Sequence, residues 1–270
     1  MPTLSLNGAE TFYTDSGGDG EPVVLGHGYL MTSALWDRQA GALAEAGYRA
    51  VRLDWRGQGR SEVTAGGYDP WGLAADALAL ADRLGLERFH WVGHSMGGYV
   101  GYRLALRAPR RVASLVQIGT AAEAEGGAAR RQYDALLWAL RALGYGAVLG
   151  RVLPILYGPA YLADPARAGD RDEQRRRIRS NSRAGIFRAG RGIFGRDSVA
   201  GQLGRITAPT LVVTGEHDRP HPPPQGRADA ERIPDAAFVE LAGVGHTPPE
   251  EAPAETTRLV LDWLRRHPIA

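Results

Sequence analysis

The chain has 270 residues, 44% of them hydrophobic and 23% charged, and a formal net charge of only +2, which suits one α/β domain with a large insertion or two ordinary domains. It has no cysteine, and all 32 of its basic residues are arginine. Disulfides, thiolate catalysis, cysteine metal sites and lysine Schiff bases are therefore excluded. No basic stripe with interleaved aromatics suggests nucleic acid, no apolar run approaches the ~18 residues of a membrane span, and the start "MPTLSLNGAE" does not read as a signal peptide. A cytoplasmic protein with neither nucleic acid nor membrane as partner is expected.

The first segment, "TLSLNGAETFYT", alternates around Asn7-Gly8, a pair that favours a type I′ turn, and predicts a β-hairpin. "PVVLGHG" (22–28) is a short apolar strand ending in glycine. A helix pattern in 34–48 leads to the strand "RAVRLDW", and a stronger one fills 70–86. "FHWVGHS" reads as a strand, "MGGYVGYRLALRA" as a helix and "VASLVQIGT" as the next strand. This alternation implies βαβ units and a mostly parallel sheet with helices on both faces.

The alternation stops between about Ala121 and Arg205. "ARRQYDALLWALRAL" and "AGIFRAGRGIF" read as helices, with a Pro/Gly-broken segment and the charge-dense stretch 170–183 between them. The charged stretch is expected to be a solvated helix face. Strands resume at "PTLVVTGEHD" (209–218) and "AAFVELAGVGH" (236–246), and a helix with Pro253 in its first turn closes the chain. The expected organisation is a core of residues 1–120 and 206–270 and a helical insertion of residues 121–205.

Ser95 lies in "GHSMGG", between a strand and a helix. A tight strand-to-helix corner forces strained backbone angles and lifts the hydroxyl to the carboxyl edge of the sheet beside a helix N-terminus, while Gly93 and Gly97 relieve crowding with the neighbouring chain. A serine nucleophile needs a base, and the base needs an orienting acid. Of seven histidines, His90 lies inside a strand, His267 at the chain end, and His94 beside the serine, where adjacent side chains point apart. His246 follows the last strand at a carboxyl edge, where ligands of open α/β sheets bind. Asp218 ends another strand at the same edge. The expected catalytic residues are Ser95, Asp218 and His246. The backbone N–H groups of Met96 and Tyr29 are the expected oxyanion donors, with His27 bracing the Tyr29 loop. His217 and His221 have metal-like spacing but no third ligand nearby, so neither metal nor cofactor is expected.

With "HGY" after the third strand, "DWRGQGRS" (54–61) after the fourth, "GEHD" and "GVGH" in place beside "GHSMGG", the chain resembles the α/β-hydrolase fold over nearly its whole length. The stretches 36–61 and 93–112 look most like bacterial carboxylesterases, enol-lactonases and the cofactor-free haloperoxidase and perhydrolase group. The resemblance maps nucleophile, acid and base onto Ser95, Asp218 and His246, and makes residues 121–205 a helical cap inserted after the sixth strand. Relatives that attack epoxides or carbon–halogen bonds carry aspartate at the elbow. Some relatives take the acid from after the sixth strand, near Glu123 and Glu125 here, so those two remain alternatives to the favoured Asp218.

The implied activity is hydrolysis of small to medium carboxylic esters or lactones through an acyl-enzyme at Ser95. Carbon–carbon bond hydrolysis, perhydrolysis and a ligand-binding signalling role use the same residues and stay open. Trp138, Leu140, Ile155, Leu156, Tyr157, Ile186 and Phe187 are expected either to line an apolar pocket or to pack the cap itself. The expected partner is a small-molecule ester or lactone, and a homodimer is left open.

Overall fold

In the computed structural model, which describes residues 2–269, Asn7 and Gly8 take φ of 47° and 77°. They reverse the chain between β1 (Thr3–Leu6) and β2 (Ala9–Asp15), as the Asn-Gly pair predicts. Then come β3 (Pro22–Gly26), α1 (Asp37–Glu45), β4 (Arg49–Leu53), α2 (Pro70–Arg83), β5 (Phe89–His94), α3 (Met96–Arg107) and β6 (Val112–Ile118). Five helices follow without a strand: α4 (Gly127–Leu143), α5 (Tyr145–Leu156), α6 (Pro159–Ala163), α7 (Ala168–Ser180) and α8 (Arg183–Phe194). The chain returns to the sheet through β7 (Thr210–Gly215), α9 (Pro223–Arg232), β8 (Ala236–Leu241), α10 (Pro248–Glu251) and α11 (Pro253–Arg266).

The eight strands form one sheet in the order β1-β2-β4-β3-β5-β6-β7-β8. β1 and β2 pair antiparallel and β2 joins β4 antiparallel; every other pairing is parallel. Alternation along the central strands divides the core in two. Val23, Leu25, Val92, Val116 and Ile118 face the layer that contains Trp36 and Trp263. Val24, Trp91 and Leu115 face the layer built by α2 and α3. Both faces are thus covered, which is why the strands read as continuous apolar runs.

Two local features depart from the sequence reading. The Pro/Gly-broken segment contains α5, a 12-residue helix with Pro154 inside it. Pro154 lacks an N–H for the Gly150 carbonyl, but Gly150 is exposed near the helix end, so that carbonyl is not left in an apolar core. The second is α9, which low apolar content and a run of prolines hide in the sequence; proline is tolerated in a first helical turn. The charge-dense stretch forms α7, laced by pairs such as Arg176–Glu173 and Arg175–Asp172. It is not wholly solvated, since Ile178 and Gln174 are buried.

The helical insertion docks on the core through carboxylates of α10. Glu250 accepts hydrogen bonds from the Tyr157 hydroxyl at 2.6 Å and from Gln174. Burial pushes its carboxyl up to about 7, against the opposing pull of the Tyr157 hydroxyl and Arg177. Between pH 4.5 and about 7 the folded state therefore holds a proton that the unfolded state releases, and stability falls as pH rises through that window. Glu250→Gln is expected to raise the melting temperature by several degrees at pH 8, from about 2 kcal/mol, and by much less at pH 5. Thermal unfolding at the two pH values checks it.

Candidate active site

Ser95 caps the N-terminus of α3 directly after β5 with φ 50° and ψ −111°, a region that costs a non-glycine residue about 1–3 kcal/mol. The surrounding backbone holds it there. The Ser95 N–H donates to the Ile118 carbonyl at 2.8 Å, the Thr120 hydroxyl donates to the Ser95 carbonyl at 3.0 Å, and the Trp91 indole donates to the Gly97 carbonyl at 3.0 Å. The corner also needs its glycines. A Cβ on Gly97 would stand 2.1 Å from the Gly26 carbonyl oxygen, and one on Gly93 2.3 Å from that of Gly97. Gly98, by contrast, gives room to the Thr120 side chain.

His246 follows β8 and Asp218 follows β7, and the sheet brings both to Ser95. His246 Nε2 lies 3.0 Å from Ser95 Oγ, and its Nδ1 lies 2.9 Å from each Asp218 oxygen. A carboxylate only accepts, so Nδ1 carries the proton and Nε2 is left bare to take one from the serine. All three residues are buried. Asp218 Oδ1 also accepts the His221 N–H at 2.9 Å, which fixes the carboxylate.

Met96 provides the first N–H of α3, which has no intrahelical acceptor. The Tyr29 N–H has no acceptor in the protein among the described residues, while its hydroxyl donates to the Ile186 carbonyl at 2.8 Å. The loop that carries Tyr29 is braced from several sides. His27 Nδ1 donates to the Gly28 carbonyl and its Nε2 accepts the Trp55 N–H. Gln58 Oε1 accepts the Leu30 N–H at 2.8 Å, and Asp54 accepts that of Ser33 at 2.6 Å. Leu30 itself has φ 68°. The "DWRGQGRS" motif thus supplies the frame of this loop.

Two further supports lie in segments whose residues carry no expected role in the site. Asn181, buried after α7, accepts the Gly59 N–H at 2.7 Å and donates to the Leu30 carbonyl at 3.1 Å, so it ties the insertion to the Tyr29 loop. Glu251 accepts N–H groups of Gly158, Gly245 and Thr247 at 2.8–2.9 Å and holds the chain on either side of His246. A polar residue just past a charged helix and an acid five residues after "GH" are weak signals by themselves. Asn181→Ala leaves a buried donor and acceptor unpaired. It is expected to lower kcat about tenfold with KM little changed, as steady-state kinetics with an ester will read.

The other histidines divide clearly. His94 reaches the same cavity as Ser95, contrary to the expectation that neighbouring side chains point apart. Its Nε2–H donates to the His246 carbonyl at 2.8 Å and its ring centre is 5.1 Å from that of His246. Burial, reinforced by His246, pushes its imidazole down to about 3, so it is uncharged near neutrality. His221 is buried, with Nε2 2.6 Å from the Tyr99 hydroxyl, and burial likewise depresses it, with His246 and Arg196 adding to the effect. His217 is exposed, so the two do not converge. His90 is held by Ser114 and Glu21 within β5, and His267 lies at the end of α11. Of the alternative acids, Glu123 is exposed and engages Ser198 and Arg232, while Glu125 pairs with Arg196; neither is hydrogen-bonded to His246.

A cavity opens over Ser95, His94 and His246. Of the residues expected either to line a pocket or to pack the cap, Leu140, Ile155 and Leu156 line it, together with Val148, Leu149 and Val152. Trp138, Tyr157, Ile186 and Phe187 do not. Trp138 and Phe187 pack edge to face on the outside of the insertion, Tyr157 is held by Glu250, and Ile186 is on the buried face of α8.

A family model described as the alpha/beta hydrolase fold matches residues 21–253. The chain is 35% identical over 249 residues to the provisionally named carbamate hydrolase RutD of Variovorax paradoxus (strain S110), covering 92% of this chain and 93% of that one. An enol-lactonase from Burkholderia xenovorans LB400 superposes with a TM-score of 0.91 at 28% identity, over 98% of this chain and 100% of the other. A thermophilic esterase from Thermogutta terrifontis does so with a TM-score of 0.91 at 28% identity, over 99% of each chain.

Proposed function

The chain belongs to the α/β hydrolase family, and from that premise we propose that it hydrolyses carboxylic esters and lactones of small to medium size by acyl transfer to Ser95. The observation that carries this reading is the continuous line Ser95 Oγ–His246 Nε2–Nδ1–Asp218, closed at 3.0 and 2.9 Å beneath a largely apolar cavity. Ser95 Oγ attacks the substrate carbonyl while His246 Nε2 takes its proton. Asp218 keeps the imidazole in the tautomer that can do so and stabilises the imidazolium. The Tyr29 and Met96 N–H groups receive the oxyanion, each contributing roughly 3 kcal/mol to lowering the barrier. His246 then protonates the departing alkoxide. Water, deprotonated by His246, attacks the acyl carbonyl, and Ser95 leaves with its proton restored.

The same two steps act on a carbamate carbonyl, a reading that the 35% identity to the RutD protein favours. The test is a panel of p-nitrophenyl esters, lactones and a carbamate. Rapid multiple turnover of several esters or lactones supports the first reading, turnover of the carbamate alone supports the second, and turnover of neither contradicts both.

A further inference from the structure

One part of the cavity wall departs from its apolar lining. Glu125, in the chain after β6, and Tyr133, on α4, both face the cavity beside Tyr99. The Glu125 side chain is only 8% exposed, and its Oε1 accepts from Arg196 Nη1 at 2.8 Å. Arg196 lies behind the wall, with its guanidinium 3.8 Å over the Tyr99 ring and two more hydrogen bonds to the carbonyls of Ile193 and Glu123. The other carboxylate oxygen, Glu125 Oε2, receives no hydrogen bond from the protein among the described residues. Neither does the Tyr133 hydroxyl make one, although its ring is fixed by stacking on Phe194 at 4.5 Å. Burial, with the Glu125 charge adding to it, pushes the Tyr133 phenol up to about 12, so it stays a donor.

Glu125 faces the cavity and its Oε2 has no protein donor there among the described residues, so a ligand that enters and displaces solvent must bring a donor or leave that oxygen unpaired. Arg196 already balances the Glu125 charge. An ammonium group would therefore enter as an uncompensated buried cation, and a carboxylate would meet Glu125 with like charge. A neutral group that donates to Glu125 Oε2 and accepts from the Tyr133 hydroxyl satisfies both. We infer that Glu125 and Tyr133 form a subsite for a neutral hydroxyl group of the substrate, with the apolar part of the same molecule lying against α4 and α5. The inference rests on the ester-hydrolase reading above and narrows its substrate class.

The test compares kcat/KM for pentyl hexanoate, 5-hydroxypentyl hexanoate and pentyl 6-hydroxyhexanoate, which place the hydroxyl on either side of the scissile bond. One hydroxylated ester is expected to exceed the parent by at least tenfold. That ratio is expected to fall towards one in Tyr133→Phe and in Glu125→Gln, each read within the same variant so that a general loss of activity cancels. Tyr133→Phe keeps the test decisive if the Glu125 variant fails to fold. Equal rates for all three esters, or a preference that survives in Tyr133→Phe, overturns the subsite and leaves the ester-hydrolase reading intact. If none of the three esters nor the p-nitrophenyl panel is turned over, that underlying reading fails first.

Discussion

Ser95→Ala is expected to lower kcat for ester hydrolysis by about 10⁵- to 10⁶-fold, with substrate binding largely retained. In the proposed mechanism Ser95 and His246, 3.0 Å apart, act as one unit, so removing either member forfeits the whole covalent route. What remains, about 10³-fold over water, is what the Tyr29 and Met96 donors and the cavity supply without a nucleophile. The same substitution relieves a residue held at φ 50° only partly, because alanine also disfavours that region. Stability is therefore expected to change little, and a circular-dichroism melt beside the kinetics separates lost chemistry from lost folding. Activity near wild type in this variant contradicts the nucleophile assignment.

The second large effect concerns the acid. Asp218→Asn keeps the volume but replaces a carboxylate facing His246 Nδ1 with an amide. The amide can favour the wrong imidazole tautomer, and kcat is expected to fall about 10⁴-fold. Glu123→Gln is expected to leave kcat within about a factor of two, since Glu123 is exposed and engaged with Ser198 and Arg232. The reverse pattern, with Asp218→Asn active and Glu123→Gln inactive, contradicts the assignment.

Much of this arrangement is legible in the sequence because period and punctuation agree. Apolar runs bounded by glycine mark β3, β5, β6 and β7, and residues at their carboxyl ends share one edge of the sheet. That is enough to gather Ser95 with Asp218 and His246, the last of them 151 residues further along the chain. What stays hidden is whatever depends on side chains meeting across elements without a shared period. Asn181 follows a helix whose charge density reads as solvent-facing, yet its amide satisfies one backbone group in the Tyr29 loop, the Leu30 carbonyl, and one in the 54–61 motif, the Gly59 N–H. Glu250 and Glu251 look like an ordinary acidic helix start, yet they are the docking points of the insertion and of the His246 loop. Glu125 is visible as an acid after the sixth strand, but only the fold places it beside Arg196 and away from the base. Trp138 and Phe187 show the opposite failure, since apolar character alone does not distinguish a cavity wall from an outer helix face.

The proposed activity requires a covalent bond between substrate and Ser95, and the direct measurement is intact-mass spectrometry with peptide mapping after brief exposure to a p-nitrophenyl alkylphosphonate. The prediction is one phosphonyl adduct per chain on the peptide that contains Ser95. It should form with release of one equivalent of p-nitrophenol and loss of activity, and be absent in Ser95→Ala and greatly slowed in His246→Ala. Inactivation with the adduct on another residue, or an unmodified Ser95 in fully inactivated protein, contradicts it.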